Sequence, residues 1–160
     1  MNIWGSNNWL ITIDFSSAQR TGLRLRFQKG TDPEVKRSCV EFCKWLRKQY
    51  CFPIRVPIYV KSSEFIISKS GEKFSAIFFE PFDKHNEPFI RIATGDFNEM
   101  KQKSCQDDAL ASILGSISHE LTHYFQWIND IRLTEIGMER QAKTYADLII
   151  DLYAETRDHP

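Results

Sequence analysis

The feature that most restricts the fold of this chain is a long apolar stripe between Asp107 and Trp127. Apolar side chains recur there every three or four residues, which is the spacing of one face of an α-helix. The stripe consists of Leu110, Ile113, Leu114, Ile117, Leu121, Tyr124, Phe125 and Ile128. A helix with one such face must pack that face against the rest of the domain. The pattern predicts a long helix from about Asp107 to Trp127 that is packed on one side only.

The other side of this predicted helix carries the sequence HELTH at positions 119–123, which is the H-E-x-x-H pattern. At about 100° per residue, His119 and His123 point about 180° to 220° away from Leu110. Two imidazoles one helical turn apart can bind the same zinc ion. The alternative is an ordinary amphipathic helix with solvated histidines, but a solvated face seldom repeats histidine at this spacing around a glutamate. We therefore interpret the pattern as a metal site.

Glu120 lies beside the two histidines and is the candidate general base. Its carboxylate would take a proton from a zinc-bound water and pass it to the leaving amine, while the metal polarises the scissile carbonyl. A purely structural zinc site fills all four coordination positions and has no use for such a base. Glu120 therefore favours a catalytic site, and we expect its removal to spare the metal and stop the reaction.

A catalytic zinc ion needs a third protein ligand, and no third histidine follows closely after His123. A second predicted helix, from about Thr134 to Tyr153, offers Glu135 and Glu139. Small residues follow Glu139 at three and seven positions and would let this helix approach the histidine helix closely. The alternative is a pair of solvated glutamates on a helix surface. We predict that Glu139 is the third ligand of one zinc ion.

Taken together, these residues resemble those of the gluzincin metallopeptidases, in which a glutamate on a following helix completes an HEXXH zinc site. HELTHYFQW at 119–127 and ERQAKTYA at 139–146 look like the pair found in the minigluzincins, and the E-x-x-A-x-x-x-A form is similar to ImmA/IrrE-type bacterial proteases. The resemblance implies a zinc metalloendopeptidase that cleaves a peptide or protein substrate. It implies a general base at Glu120 and zinc ligands at His119, His123 and Glu139.

Two supporting roles stay open. Larger gluzincins often carry an aspartate four residues after the ligand glutamate, where it orients a zinc histidine, but position 143 here is lysine. Asp147 and Asp130 are candidates for that role. A donor that stabilises the oxyanion should also exist, and Tyr145 or Tyr124 are the candidates.

The rest of the chain predicts an α+β domain. We expect a hairpin from Trp9–Phe15 and Leu23–Phe27, a helix from Asp32 to Gln49, and a small, mostly antiparallel sheet from residues 54–60, 64–68, 74–79 and 88–94. Strands first and paired helices last indicate the α+β class. The resemblance implies a minimal zincin-like form of it, and residues 1–160 suit one domain. The segment Phe89–Thr94 could be the edge strand that zincins offer to a substrate, or an interior strand.

The charges of the chain cancel, with 21 Lys and Arg against 21 Asp and Glu. We therefore expect no nucleic-acid partner and no anionic membrane partner. The sequence has neither a long apolar run nor a secretory leader, which indicates a cytoplasmic protein.

The tail at 155–160, which includes His159, is expected to be mobile; a second hypothesis is that it inhibits the protein by occupying the open position of the zinc.

Two rival functions share the predicted site. One is a zinc-binding regulatory or partner-binding module without general peptidase turnover. The other is a protease dedicated to a single repressor or antitoxin.

Overall fold

The structure is a computed structural model that describes residues 2–14 and 19–160. In chain order, its described residues form α1 (Trp9–Thr12), β1 (Leu23–Phe27), α2 (Pro33–Gln49), β2 (Val56–Lys61), β3 (Ile66–Ile67), β4 (Lys73–Phe74), β5 (Ala76–Phe79), β6 (Phe89–Ala93), α3 (Phe97–Lys103), α4 (Gln106–Ile128) and α5 (Glu135–Ala154). This mixture of helices and strands confirms the α+β class.

The main sheet has four strands in the order β1-β2-β6-β5. β1 pairs with β2 in parallel, β2 pairs with β6 in parallel, and only β5 runs antiparallel to its neighbour β6. β3 and β4 form a separate antiparallel pair. The prediction of a mostly antiparallel sheet is therefore wrong. Helix α2 connects β1 to β2, and such a strand–helix–strand connection returns the chain in the same direction.

The predicted N-terminal hairpin is also wrong, although its second strand is confirmed as β1. Trp9–Thr12 forms the short helix α1 instead, and the Trp9 backbone N–H donates to Asn129 Oδ1 over 3.2 Å. Trp4 is buried and donates its indole N–H to Thr122 Oγ1 over 3.0 Å. Contacts with α4 therefore determine the path of this segment. Residue 15, the end of the predicted first strand, lies outside the described residues.

The three long helices are confirmed, and their ends have local causes. α2 begins where Asp32 Oδ1 accepts the Glu34 backbone N–H over 2.8 Å, with Pro33 at the first helical position. α5 begins where Thr134 Oγ1 accepts the Gly137 N–H over 3.1 Å. α4 spans the whole predicted stripe. The seven-residue helix α3 was not predicted.

The hydrophobic core lies between the helices and one face of the sheet. The inward side chains of β2 and β6, such as Val60 and Ile90, are buried together with the apolar stripe of α4. One cluster of buried side chains extends from Ile3 to Tyr153. Across residues 2–14 and 19–160, no helix is long and apolar enough to span a membrane.

The prediction that α4 is packed on one side only is wrong for its C-terminal half, because Ser118, Thr122 and Gln126 outside the stripe are also buried, under the N-terminal segment and α5. His119 and His123 stay partly exposed there, at the site described next.

Candidate metal centre and cleft

Helices α4 and α5 bring the three predicted ligands together. His119 Nε2 lies 3.0 Å from Glu139 Oε2, and His123 Nε2 lies 3.1 Å from Glu139 Oε1. One ligand atom from each of the three residues lies within 4.8 Å of the others. Glu135, the other candidate for the third ligand, lies one turn earlier and does not line this cleft. The structure thus gathers the donor set that was predicted from the sequence.

Small side chains let the two helices approach each other. Ala142 is fully buried and Ala146 is almost so, and both lie on the face of α5 that packs towards α4. Residues three and seven positions after Glu139 share its side of the helix. The packing of α5 against α4 therefore places Glu139 next to the two histidines.

Gln126 fixes the orientation of the His123 ring, and it was not predicted. Its Nε2 donates to the Met138 carbonyl over 3.0 Å and to Gln141 Oε1 over 2.9 Å. Gln126 Oε1 then faces His123 Nδ1 at 2.7 Å and has to accept a hydrogen bond from it. This network assigns the ring proton to Nδ1 and leaves the Nε2 lone pair facing Glu139. The sequence signal for this role was the position of Gln126 three residues after His123, because side chains three residues apart are neighbours on a helix.

The lone pair of His123 Nε2 and the carboxylate oxygen of Glu139 face each other, and this geometry indicates what kind of ion the cluster can bind. A ring-nitrogen lone pair and a carboxylate oxygen 3.1 Å apart repel each other unless a proton or a metal cation lies between them. The pKa of His119 is held below its usual range, first by burial and then by His123, against the opposite effect of Glu139. A lowered pKa favours the neutral imidazole, which is the form that binds metals. The residues present therefore fit a cation with two nitrogen ligands and one oxygen ligand.

Glu120 lies in the wall of the same cleft and is only 8% exposed. Burial is the main cause that raises its pKa to about 8, the charge of Glu139 raises it further, and a hydrogen bond from the Phe78 backbone N–H opposes both effects. A carboxyl group with a pKa near neutrality can both take up and release a proton under physiological conditions.

The opposite wall of the cleft is strand β5, which is the edge of the sheet. Phe89–Ala93, the segment predicted as a possible substrate-binding edge, lies between β2 and β5 and is an interior strand. The Ser75 carbonyl accepts from the Ala93 N–H, so alternate residues of β5 bond to β6. The backbone groups of Ala76 and Phe78 therefore point away from β6 and towards the cleft, in agreement with the Phe78–Glu120 hydrogen bond.

The cleft continues beyond the metal cluster in both directions. At one end it extends past His119 to Ser112, Ser116 and Lys143. At the other end it extends past Gln126 to Trp127 and Asp130. The candidate ligands therefore lie in the middle of a groove and not at its closed end.

The predicted supporting tyrosines and aspartates lie elsewhere. The Tyr124 hydroxyl donates to the Ile54 carbonyl over 2.7 Å in the core, and the Tyr145 hydroxyl accepts from the Ile3 backbone N–H over 3.3 Å. Asp147 Oδ2 lies 3.9 Å from Lys143 Nζ, and the Asp130 carboxylate forms an ion pair with Lys84 Nζ. Neither tyrosine lines the groove at the cluster, and neither aspartate orients a histidine of the cluster.

The C-terminal tail packs near the start of α4. His159 Nδ1 lies 2.7 Å from Asp107 Oδ2, and the Arg37 guanidinium donates to the Pro160 carbonyl over 2.9 Å. At a rise of about 1.5 Å per residue, Asp107 is roughly 18 Å along α4 from His119. His159 therefore does not reach the metal cluster in this structure, and the tail does not occupy the cleft.

Comparison with known proteins adds no relative to these observations. No protein-family model, curated protein or solved structure matches the chain. A function for this protein has to be inferred from the chemistry of the cleft.

Proposed function

We propose that this protein is a zinc metalloendopeptidase with a minimal zincin-like fold. The observation that carries this proposal is the meeting of His119, His123 and Glu139 beside the buried carboxyl of Glu120 in one open groove. A metal site with three protein ligands has a position left for a reacting group, whereas a structural zinc site uses four protein ligands. The buried acid supplies the proton carrier that peptide hydrolysis needs.

Zinc is the ion that best suits this donor set. Two imidazoles and one carboxylate are typical ligands of catalytic zinc, whereas calcium and magnesium prefer sites made of oxygen atoms. A zinc ion held by His119, His123 and Glu139 would polarise the scissile carbonyl and make the attacking water more acidic. Gln126 supports this role because it leaves Nε2 of His123 free to bind the metal.

Glu120 would move the proton of the reaction. Its carboxylate accepts a proton from the attacking water as the water oxygen bonds to the carbonyl carbon. It then gives that proton to the amide nitrogen as the carbon–nitrogen bond breaks, which leaves a carboxylic acid and an amine. The hydrogen bond from the Phe78 N–H holds the carboxyl group in the cleft wall during both steps.

The groove would hold an extended stretch of substrate. β5 pairs with β6 on one side only, so a peptide backbone can add to its free edge through the outward backbone groups of Ala76 and the Phe78 carbonyl, while the Phe78 N–H stays with Glu120. The groove extends past the metal cluster at both ends, which gives room for residues on both sides of the scissile bond. This shape favours cleavage inside a chain over removal of a terminal residue.

The proposal is tested by measuring zinc content and cleavage in four proteins. These are the wild type, Glu139→Ala, Glu120→Gln and the control Glu135→Ala, which removes an exposed glutamate one turn earlier on the same helix. Zinc is measured by elemental analysis, and cleavage of unfolded casein and of a mixed peptide library is followed by mass spectrometry. We expect wild type and Glu135→Ala to bind one zinc ion per chain and to cleave.

The variants Glu139→Ala and Glu120→Gln should distinguish loss of zinc binding from loss of peptide cleavage. Glu139→Ala should lose zinc, whereas Glu120→Gln should keep zinc and cleave at least about 100-fold more slowly, because general acid–base catalysis contributes factors of that size. If every protein binds zinc and none cleaves any substrate, the protein is a metal-binding module or serves a single dedicated substrate. If Glu139→Ala binds zinc as tightly as wild type, the ligand assignment fails.

A further inference from the structure

The face of the sheet that points away from the helices carries charge of one sign. Helices α2 and α4 pack on the inner face, where side chains such as Ile58 and Ile90 are buried. The strand register places alternate residues on the other side, which we call the outer sheet face. No outward position of the four strands carries a carboxylate. Its cationic residues are Arg24, Arg26, Lys61 and Arg91.

Within the part of the chain that the structure describes, these four cations have no acidic partner. None of them forms an ion pair with a carboxylate of residues 2–14 or 19–160, whereas Arg20 and Arg55 nearby share Glu87. The three arginines are exposed, and Lys61 is half-buried. The neutral net charge of the chain therefore conceals a local excess of positive charge on this face.

Three aromatic rings form a row across the same face. The ring centroids of Tyr59 and Phe89 are 6.1 Å apart, and those of Phe89 and Phe79 are 4.7 Å apart with the rings nearly parallel. Tyr59 is 36% exposed and Phe79 is 49% exposed. The Arg91 guanidinium lies 4.9 Å from the centre of the Phe89 ring. Lys61 Nζ likewise lies 5.7 Å from the centre of the Tyr59 ring, so aromatic rings and cations lie side by side on this face.

We propose that the outer sheet face binds single-stranded nucleic acid. Unpaired bases stack on exposed aromatic rings, and the phosphates of the same strand are attracted to neighbouring Lys and Arg side chains. Four strands about 4.8 Å apart span roughly 14 Å, which accommodates two or three stacked nucleotides. Both halves of a nucleotide, the base and the phosphate, find a complementary group on this face.

Other anionic partners fit the face less well. A basic surface that binds lipid inserts apolar side chains between the headgroups, but Phe79 and Phe89 stack against each other along the sheet. An acidic peptide would use the cations and leave the rings without a role. The combination of rings and unpaired cations therefore favours nucleic acid.

This inference does not depend on the proposed peptidase. The metal cluster lies on α4 and α5, and α4 packs against the inner face of the sheet. Changes on the outer sheet face therefore leave the cluster intact. A failure of one proposal leaves the other standing.

The test is the fluorescence anisotropy of a labelled 15-nucleotide oligothymidylate, titrated with the full chain at several salt concentrations. Arg24→Gln/Arg91→Gln removes two cations, and Tyr59→Leu/Phe79→Leu removes two rings but keeps apolar side chains. The control Lys48→Gln/Lys101→Gln removes the same charge from exposed positions on α2 and α3. Circular dichroism confirms that each variant is folded. Phosphatidylserine vesicles and polyglutamate serve as competing partners.

We expect wild type and control to bind the oligonucleotide alike. The arginine variant should bind at least about 10-fold more weakly, and the slope of log K against log salt should fall by about 1.4, since each lost phosphate contact removes about 0.7. The ring variant should bind about 5- to 100-fold more weakly with an unchanged slope.

Several results with the oligonucleotide would overturn the proposal. They are a lack of binding by folded wild type at low salt, equal weakening in the arginine variant and the control, and unchanged affinity in the ring variant. Binding of vesicles or polyglutamate as tight as that of the oligonucleotide would assign the face to lipid or to acidic protein instead.

Discussion

Gln126 shows how one side chain can determine which ring nitrogen of a neighbouring histidine carries the proton. Its amide is held by two acceptors on α5, the Met138 carbonyl and Gln141 Oε1. Only its oxygen is left for His123 Nδ1, and this bond turns the lone pair of Nε2 towards Glu139. Partners of this kind strengthen a metal site without touching the metal.

We predict that Gln126→Leu lowers zinc affinity by about 10- to 100-fold, which is the usual effect of removing such a partner. Gln126→Glu should not restore it, because a carboxylate cannot donate to the two acceptors on α5. Affinity is measured by competition with a chromophoric chelator. Gln102→Leu, which changes an exposed glutamine on α3, is the control. Wild-type affinity in Gln126→Leu would show that packing alone orients His123.

Because Glu120 is buried, we predict that the free energy of unfolding of the metal-free protein depends on pH in an unusual way. Burial raises its pKa from an ordinary value of 4.5 to about 8. Between these two values the folded state binds more protons than the unfolded chain, so the free energy of unfolding falls as the pH rises. The loss should be on the order of 4 kcal/mol between about pH 4.5 and pH 8.

The measurement is urea unfolding after dialysis against a chelator, on wild type, Glu120→Gln and the exposed control Glu135→Gln. Glu120→Gln should lose this part of the pH dependence, and Glu135→Gln should keep it. The difference between the curves isolates the contribution of Glu120 from that of every other group. Parallel curves for wild type and Glu120→Gln would mean that the carboxyl group is not buried in solution.

At the scale of elements, the site depends on how closely α5 approaches α4. Ala142 lies one turn after Glu139 and is fully buried, so a longer side chain there would have to displace its neighbours. Both histidines belong to α4, so their spacing is fixed by one helix, whereas the position of Glu139 depends on packing between two helices.

We predict that Ala142→Leu separates the helices, lowers the free energy of unfolding by about 1 to 3 kcal/mol and weakens zinc binding. Ala154→Leu, at the exposed end of the same helix, should change neither property. Thermal unfolding and zinc competition measure the two effects. Normal zinc affinity in a destabilised Ala142→Leu would show that Glu139 reaches the histidines without close helix packing.

At the scale of the whole molecule, the candidate metal site lies outside the hydrophobic core. The core joins α2, α4 and the inner face of the sheet, and its members do not include His119, His123 or Glu139. The fold therefore does not need the metal in order to bury its apolar side chains. This arrangement differs from small zinc domains, in which the metal replaces a core.

We predict that removal of the metal lowers the thermal stability of the protein but does not unfold it. Free zinc at about 1,000 times its Kd stabilises the folded state by about 4 kcal/mol, which for a domain of this size raises Tm by roughly 10 °C. Far-ultraviolet circular dichroism should be the same with and without chelator. Glu139→Ala should show no zinc-dependent shift, and loss of helical signal on chelation would contradict the prediction.

The sequence alone was sufficient for the local features of the site. The helical spacing of the α4 stripe predicted which side chains join the hydrophobic core, and the same periodicity placed His119 and His123 together away from it. Local signals also predicted α2 and α5, with Asp32 and Thr134 at their starts. These properties depend on residues a few positions apart, and periodicity and capping describe such relations directly.

Only the tertiary structure decided which distant segments meet. The direction of the strands, the edge position of β5 and the helical turn at Trp9 all depend on partners far along the chain. The roles of Gln126 and the outer sheet face depend in the same way on α5 and on neighbouring strands. A linear pattern records what each segment prefers, whereas pairing and packing between segments are settled by the free energy of the whole fold.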